Sequence, residues 1–428
     1  MKSKWRISLT AAVVAVGLLA PVTVSAANAA PVEIPLWTHN GGNAAELADV
    51  NLVVKDFNAS QKKYKVVVKA FPQINYNDAI VASAAANRLP CILDTDAPVV
   101  PSWVYAGYLS PLTVDKKITD KLQTSVKGVY DGKLYSAGFY DAAIALLARK
   151  STIAAAGLRT PTIEKPWTLA EFNDALAKAK ATGKYDYAIS LGTGWDGEWY
   201  PYGFSPLLQS FGGDLIDRKT NKTAEGVLNG AKAVAWGKWF QNIFAQGLAP
   251  KKETADQRDN GFVTGKIAYQ WNGSWAAATA AEKLGSDFIA LPPPNLGTKA
   301  YIGGGSWQWA VSSTCANKAG ANAWLQFALQ TKYLTKFADD LFNLPITPEA
   351  TKASKIFGPT SKYSDFAKFS ATFALIRPAT PAYPVIAKVF ETATKDIING
   401  ADVQKSLDSA VDQINKNLKD NYYYVKKK

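Results

Sequence analysis

Residues 32–70 read VEIPLWTHNGGNAAELADVNLVVKDFNASQKKYKVVVKA, and this stretch predicts a strand, a helix and a second strand. The first strand covers Val32 to Trp37, and the second, rich in valine, covers Tyr64 to Ala70. Between them, Asn43 with Glu46 three residues later is the pattern of a helix N-terminus. Apolar side chains then recur at helical spacing, at Leu47, Val50, Val54 and Phe57. The stretch therefore indicates an α/β fold.

The same alternation of strands and helices continues along the chain, which favours mostly parallel sheets flanked by helices. Further strands are predicted at Cys91–Leu93, Tyr185–Leu191 and Lys266–Trp271, with two strand-like runs between Lys133 and Lys150. Further helices are predicted at Tyr76–Asn87, Val99–Ala106, after the Thr168/Glu171 capping pair, at Ala319–Leu341 and at Val403–Leu418. Residues Gly303 to Trp307 are expected to form a loop.

The chain has 428 residues, more than one hydrophobic core normally serves. A single core usually stops growing at roughly 250–300 residues, so two lobes are expected. Because the sequence contains no internal repeat and no low-complexity linker, we expect the chain to cross directly between the lobes.

The N-terminus has the pattern of a secretory signal peptide. Lys2, Lys4 and Arg6 precede an apolar run from Ile7 to Ala20, and small residues follow with cleavage sites near Ala26 or Ala29. The run is shorter than the ~20 residues of a membrane span, which disfavours an anchor. Since no cysteine follows the run, we expect an exported protein without a lipid anchor, either periplasmic or at the cell surface.

Charge and cysteine content exclude several classes of protein. The chain carries 48 basic and 35 acidic residues, and without the three basic residues of the signal peptide the excess is about +10. The lysines are spread along the chain without an Arg-rich block, so nucleic acid is a poor partner. One histidine and two cysteines leave no usual zinc site. Cys91 and Cys315 could pair in an exported protein, but the sequence leaves this open.

Several segments, in order, carry a family resemblance. They are Ile34–Trp37 with the helix ending Asp56-Phe57-Asn58, Leu89-Pro90, Gly107–Leu112, Asp131–Tyr135, Ala155–Leu158, Trp167–Phe172, Phe262–Ala268, Asn272–Trp275, and Arg377-Pro378 through Pro384 to Asn399-Gly400. With these segments the chain resembles the carbohydrate-binding group of extracellular solute-binding proteins of bacterial ABC importers, a group that includes maltose-binding protein. It departs from that pattern at Cys91 and at Ala148-Arg149.

The resemblance implies a two-lobed fold of the periplasmic-binding-protein type, type II-like, with a ligand in the cleft between the lobes. After residues 1–29, the signal peptide, one lobe would comprise residues 30–139 and 302–350. The other would comprise residues 140–301 and 351–428. The crossings would fall near Phe139 to Asp141, near Tyr301 to Gly305, and between Thr347 and Phe373.

Flat aromatic faces and planar polar groups suit a sugar, and the loops after the strands contain both. The candidate ligand-binding residues are Trp37, His39, Asn40, Asp94, Asp96, Asp141, Gly194, Trp195, Glu198, Trp271, Gly304, Gly305, Trp307 and Arg377. Some have structural alternatives. His39 could be purely structural, Arg377 could simply pair with a carboxylate, and the glycines could only make turns. Of Trp195 and Trp199, one is expected to be a ring platform and the other to be packing.

One motif points elsewhere. Residues Gly192 to Gly197 match G-x-G-x-x-G after a strand, but a dinucleotide site needs a helix to open there, and Glu198 to Pro201 does not predict a clean helix start.

The function expected is capture of a mono- or oligosaccharide by a monomer that delivers it to the importer's permease, with no cofactor and no catalysis. Two alternatives remain: a secreted glycoside hydrolase that uses acids such as Asp141 and Glu198, and a binding protein for an acidic or phosphorylated sugar or polyol.

Overall fold

The structure, a computed structural model, describes residues 30–425. The expected signal peptide and the last three lysines lie outside the described residues. Within residues 30–425, every helix is either too short or too polar to span a bilayer.

Thirteen strands lie within the described residues. They are β1 Val32–Gly41, β2 Tyr64–Pro72, β3 Ile92–Asp96, β4 Leu109–Ser110, β5 Lys127–Tyr130, β6 Lys133–Gly138, β7 Ile144–Arg149, β8 Tyr187–Ser190, β9 Ile267–Gly273, β10 Phe288–Leu291, β11 Ile302–Gly304, β12 Trp307–Ser312 and β13 Ala374–Ile376.

The α-helices of the same region alternate with these strands. They are α1 Ala44–Ser60, α2 Gln73–Ala85, α3 Val100–Tyr105, α4 Lys116–Thr119, α5 Lys150–Ala155, α6 Leu169–Ala181, α7 Ser205–Phe211, α8 Ala231–Ala245, α9 Ala255–Asp259, α10 Ser274–Leu284, α11 Lys318–Ala328, α12 Thr331–Leu341, α13 Pro348–Ala353, α14 Ser364–Phe373, α15 Tyr383–Asn399 and α16 Val403–Asp420. A π-helical turn at Tyr200–Phe204 leads into α7, and short 3₁₀ turns lie at Ala97–Val99, Thr124–Val126, Gly285–Asp287 and Tyr422–Tyr424.

The first lobe is built on a seven-stranded sheet with the order β2-β1-β3-β12-β6-β5, in which β4 also pairs with β12. β1 pairs in parallel with β2 and β3, as the opening stretch predicts. β12 comes from much later in the chain and lies antiparallel between β3 and β6. α1, α11 and α12 bury their apolar sides against one face of this sheet.

The second lobe is built on a four-stranded sheet with the order β10-β7-β9-β8. Its core also takes in α6, α7, α8, α15 and α16, with fully buried aromatic side chains such as Trp236 and Phe240. A parallel pair of short strands, β11 and β13, lies beside the path from one sheet to the other. Asp141 and Leu344 also exchange backbone hydrogen bonds there, of 2.9 and 2.7 Å.

The expected α/β fold is confirmed, with differences in detail. Both sheets are mixed, because β12 and β7 run antiparallel to their neighbours. β3 continues to Asp96, so both of its aspartates lie in the strand. The loop expected at Gly303–Trp307 is shorter than predicted, because Gly303 and Gly304 pair in β11 and Trp307 begins β12, which leaves only Gly305 and Ser306 between the strands. The helical stretch at Ala319–Leu341 divides into α11 and α12.

The two cysteines form a disulfide, which settles a point that the sequence leaves open. Cys91 and Cys315 have Cα atoms 4.5 Å apart and are 224 positions apart in sequence. Cys91 immediately precedes β3, and Cys315 follows β12, so the bond joins the ends of two neighbouring strands.

Candidate functional site

Several of the candidate residues come together at one edge of the seven-stranded sheet. The C-terminal parts of β1 and β3 lie side by side, and the first residue of β12, Trp307, stands opposite Asp96 in the register. This places His39, Asn40, Asp94, Asp96 and Trp307 close together, because parallel strands end at the same edge of a sheet.

His39 is buried within a polar network. Its Nδ1 lies 2.7 Å from Asp94 Oδ2, and its Nε2 lies 3.7 Å from a carboxylate oxygen of Glu46. Burial opposes a charge on the ring, but the carboxylates of Asp94 and Glu46 outweigh it and raise the pKa of His39 above its usual value. Tyr140 donates to the other oxygen of Glu46 over 2.9 Å.

The His39 ring also stacks on Trp307, with centroids 3.5 Å apart and planes inclined by 7°. Trp307 is partly exposed, whereas His39 is 4% exposed. The histidine therefore supports one face of the indole, and both of its ring nitrogens contact other groups of the protein. In this arrangement Trp307, not His39, offers a surface to a ligand.

Arg377 joins the two lobes. Its guanidinium donates two parallel hydrogen bonds of 2.8 Å to the carboxylate of Asp96 in β3. It also pairs with Glu198, from the loop after β8, and donates to the carbonyl oxygen of Gly305 over 3.3 Å. The structural alternative for Arg377, pairing with a carboxylate, is what the geometry shows, and its contact with a ligand stays a prediction.

Two buried polar atoms in this cluster have no hydrogen-bond partner among the described residues. They are Arg377 Nε and the hydroxyl of Tyr202, whose ring lies 4.9 Å from the guanidinium carbon. Both residues are more than nine-tenths buried. Because buried polar groups are normally paired, these two atoms suit a polar ligand or water between the lobes.

Glu198 is the partly exposed acid of the cluster, with 27% of its side chain accessible. Burial raises the pKa of Glu198 to about 7, although the Arg377 guanidinium acts in the opposite direction. Tyr383, the first residue of α15, donates its hydroxyl to this carboxylate. Tyr383 also packs against the apolar side chains of the first lobe around Tyr76 and Leu93.

Aromatic rings line the second lobe beside this cluster. Trp195 and Trp275 are partly exposed, and Trp199 lies between them, 4.6 Å and 6.4 Å away by ring centroids. Trp199 is buried and its indole N–H donates to Leu191 O over 2.9 Å. The arrangement fits the expectation that one tryptophan of the loop is packing and the other is available, with Trp195 as the available ring.

Asp141 lies where the chain crosses between the lobes, and its carboxylate is fully occupied by the protein. It accepts hydrogen bonds from the hydroxyls of Ser125 and Ser370, over 2.8 and 3.2 Å, and from Ala142 N over 2.9 Å. Burial raises its pKa above the usual value. Asp141 is 1% exposed, so in this conformation it ties the crossing together and presents no free oxygen.

Other candidates lie apart from the cluster or contribute only backbone. Trp271 is 2% exposed and donates to Gly203 O in the core of the second lobe. Gly194 packs so closely on Glu253 that a Cβ would lie 2.5 Å from its carbonyl oxygen. Gly305 has φ +85° and gives its carbonyl to Arg377, while Gly304 belongs to β11. Trp37 stacks obliquely on Phe71.

The glycine-rich segment after β8 has a different role from phosphate binding. A helix does begin here, at the π-helical turn Tyr200–Phe204, which the sequence did not predict. The carboxylate of Glu253, however, already accepts the backbone N–H groups of Leu191 and Gly192, over 2.9 and 3.1 Å. An internal anion thus fills the position that a pyrophosphate would need.

Sequence reasoning missed Glu46, Tyr202, Trp275 and Tyr383 as parts of the cluster. Trp275 and Tyr202 lie in aromatic-rich stretches, which is a usable signal. No local sequence signal identifies Tyr383, because its partner Glu198 is 185 positions away. Within residues 30–425 no group of acidic, histidine or cysteine side chains is arranged to hold a metal ion.

Comparisons with known proteins agree on the architecture. Residues 53–365 match the model of a family described as bacterial extracellular solute-binding protein. The comparison with curated proteins gave no match.

Among solved structures, the GacH receptor of Streptomyces glaucescens, studied unliganded and with acarbose, is similar with a TM-score of 0.75 and 21% identity over 91% of this chain and 98% of that chain. The cyclic α-maltosyl-1,6-maltose binding protein of Arthrobacter globiformis is similar with a TM-score of 0.72 and 22% identity, over 91% of this chain and 100% of that chain. The maltose/maltodextrin-binding domain MalE of Bdellovibrio bacteriovorus, bound to maltotriose, is similar with a TM-score of 0.73 and 17% identity, over 91% of this chain and 100% of that chain. These likenesses show the two-lobed fold.

Proposed function

The chain belongs to the family of bacterial extracellular solute-binding proteins, and on that premise we propose that it captures a mono- or oligosaccharide between its lobes and delivers it to the membrane permease of an ABC importer. The observation that carries the proposal is the cluster around Arg377, where Asp96 of one lobe meets Glu198 and Tyr202 of the other. Each lobe contributes a partly exposed indole: Trp307 stands opposite Asp96 in the register, and Trp195 is three residues before Glu198 in the same loop. Similar structures studied with acarbose and with maltotriose support a sugar as the ligand.

The proposed mechanism is closure of the two lobes on the ligand. A sugar that touches Trp307 on one side and Trp195 on the other has more contacts in the closed form than in the open form. Its differential affinity for the two forms then drives closure. The lobes proposed to move are residues 30–139 with 302–350, and residues 140–301 with 351–428.

Binding without cleavage is the form of activity that we propose. A glycosidase needs two carboxyl groups at the scissile bond. Of the pair Asp141 and Glu198, the first has its oxygens committed to Ser125, Ser370 and Ala142. Incubation with glycosides is expected to release no product, and turnover would contradict this part of the proposal.

An uncharged sugar is favoured over an acidic one. Arg377 is the cation that would anchor an acidic ligand, and it is already balanced by Asp96 and Glu198. We also propose that the mature protein is an exported monomer, in the periplasm or at the cell surface.

Calorimetric titration with maltotriose, an acidic disaccharide and an unrelated peptide tests the ligand class. Mass spectrometry of ligand carried through purification gives an independent answer. Trp307→Ala should weaken binding of the neutral sugar by roughly 5- to 150-fold, as loss of about 1–3 kcal/mol of ring contact implies. Trp239→Ala is the matched control, because this partly exposed indole lies in α8 against Asn173, away from the cluster. Peptide binding without sugar binding would overturn the proposal.

A further inference from the structure

A basic and aromatic depression lies at the C-terminal end of α16, and the proposed sugar capture does not use it. Its volume is about 620 Å³. It is lined by Lys222, Thr223, Asn415, Lys416, Lys419, Asp420 and Tyr423. Three of these side chains are cationic and one is anionic, so the depression has an excess of positive charge.

The positive charge is only partly balanced within the protein. Lys416 pairs with Asp420 along α16. Lys222 and Lys419 are exposed and form no ion pair with a carboxylate among residues 30–425. The sequence continues with Lys426, Lys427 and Lys428, which lie outside the described residues.

Apolar and aromatic side chains are exposed beside these lysines. Tyr422 is 69% exposed, Tyr423 is 44% exposed and Val425 is 61% exposed. The backbone of Tyr422 and Tyr423 is left-handed, with φ of +50° and +56°, a conformation that disfavours ordinary side chains. The turn is held by Tyr424, which donates to Asn417 Oδ1 over 2.8 Å and packs on Tyr105 of α3 at 5.0 Å.

We propose that this surface, formed by the lysines of the depression with Tyr422, Tyr423 and Val425, associates peripherally with a bilayer that contains anionic lipid. Tyrosine rings favour the headgroup region of a bilayer, where one edge is apolar and the hydroxyl is hydrated. Lysines close to an anionic bilayer each strengthen binding by electrostatic attraction. A soluble polyanion would explain the lysines but not the exposed apolar side chains beside them.

Vesicle sedimentation with the mature protein, without the expected signal peptide of residues 1–29, tests the proposal. Vesicles of phosphatidylcholine alone are compared with vesicles in which about a third of the lipid is phosphatidylglycerol. The protein is expected to bind the anionic vesicles at least tenfold more strongly, with binding that weakens as salt screens the charges. Binding that is equal for both vesicles, or absent from both, overturns the proposal.

Two variants locate the contact. The triple change Lys222→Gln, Lys416→Gln and Lys419→Gln should lower the partition coefficient on the order of a hundredfold, since each lysine contributes about fivefold. The matched control changes three exposed lysines of the first lobe, Lys62→Gln, Lys116→Gln and Lys117→Gln, and should lower it by twofold or less. Equal losses in the two triples would mean that only net charge matters, which overturns a defined surface.

Tyr423→Ser separates a bilayer from a soluble polyanion. It should weaken vesicle binding severalfold and leave binding to soluble polyphosphate unchanged. If polyphosphate binds tightly and Tyr423→Ser has no effect on vesicles, the surface recognises phosphate groups in solution and the membrane proposal fails. Thermal unfolding of each variant, followed by circular dichroism, verifies that the fold is intact.

Discussion

Replacing Arg377 by glutamine is expected to lower the free energy of unfolding by about 3–5 kcal/mol. The guanidinium is 3% exposed and supplies two 2.8 Å hydrogen bonds to Asp96 and a third contact to Glu198. Glutamine cannot balance either carboxylate, so Asp96 is left without a counter-charge in a buried site and Glu198 in a partly exposed one. The loss is that of a broken buried ion pair, which is much larger than the loss of a surface pair.

The sign of the pH dependence provides a second measurement. Without the guanidinium, Glu198 holds its proton more tightly in the folded variant than in the folded wild type, because the cation that lowers its pKa is gone. Stability of the variant should therefore fall as pH rises from about 4 to 8, relative to the wild type. Urea unfolding monitored by tryptophan fluorescence, at several pH values, gives both the loss and its slope, provided that the m-values agree.

Lys121→Gln is the matched control for this experiment. In the wild type the ammonium of Lys121 pairs with Glu349 at 2.6 Å, but the two side chains are 54% and 45% exposed. The expected loss is therefore only about 0–1 kcal/mol. If Arg377→Gln lowers the free energy of unfolding no more than Lys121→Gln does, or if its loss does not grow with pH, the cluster does not stabilise the fold by the amount assigned to it.

Three further outcomes are expected. Because burial raises the pKa of Glu198 to about 7, the folded protein binds this proton more tightly than the unfolded chain, and wild-type stability should fall between about pH 4.5 and 7. Glu198→Gln should remove this fall from a plot of the urea midpoint against pH, and identical plots for the variant and the wild type would disprove the assignment to Glu198. Changing Cys91 and Cys315 to serine should cost about 2–5 kcal/mol, since the bond closes a loop of 224 positions; an unchanged midpoint under oxidising conditions would contradict this. Asp141→Ala should destabilise the protein by at least about 2 kcal/mol, because three donors lose their acceptor, whereas Asp141→Asn should cost less; equal unfolding midpoints for the two variants would refute the assigned role.

Local features of the fold could be predicted because their causes are local. Asn43 caps α1 by accepting from Glu46 N, and Thr168 with Glu171 forms the capping box of α6, as the sequence indicates. Strand and helix order follows from hydrophobic spacing, so the α/β class is accessible without coordinates.

The candidate site could be predicted only in part, because its contacts depend on strand order. The sequence identifies Asp96, Glu198 and Arg377 as candidates, yet nothing near Arg377 in the chain indicates that both carboxylates converge on it. β12 must first insert beside β3, which brings Trp307 opposite Asp96 and against His39. For the same reason the loop expected at Gly303–Trp307 is shorter than predicted: the residues on either side of Gly305 and Ser306 pair with β13 and β3, from distant parts of the chain.

The position of β12 also constrains the order in which the chain can assemble when it emerges N-terminus first, as it would during export. β12 lies in the middle of the seven-stranded sheet, between β3 and β6, but follows every strand of the four-stranded sheet in sequence. The four-stranded sheet can therefore complete its pairing while the seven-stranded sheet still has a gap at its centre. Until residue 312 arrives, β3 and β6 remain open edges, and Cys91 has no partner until Cys315 follows. The disulfide can therefore close the seven-stranded sheet only after every strand of the four-stranded sheet has emerged.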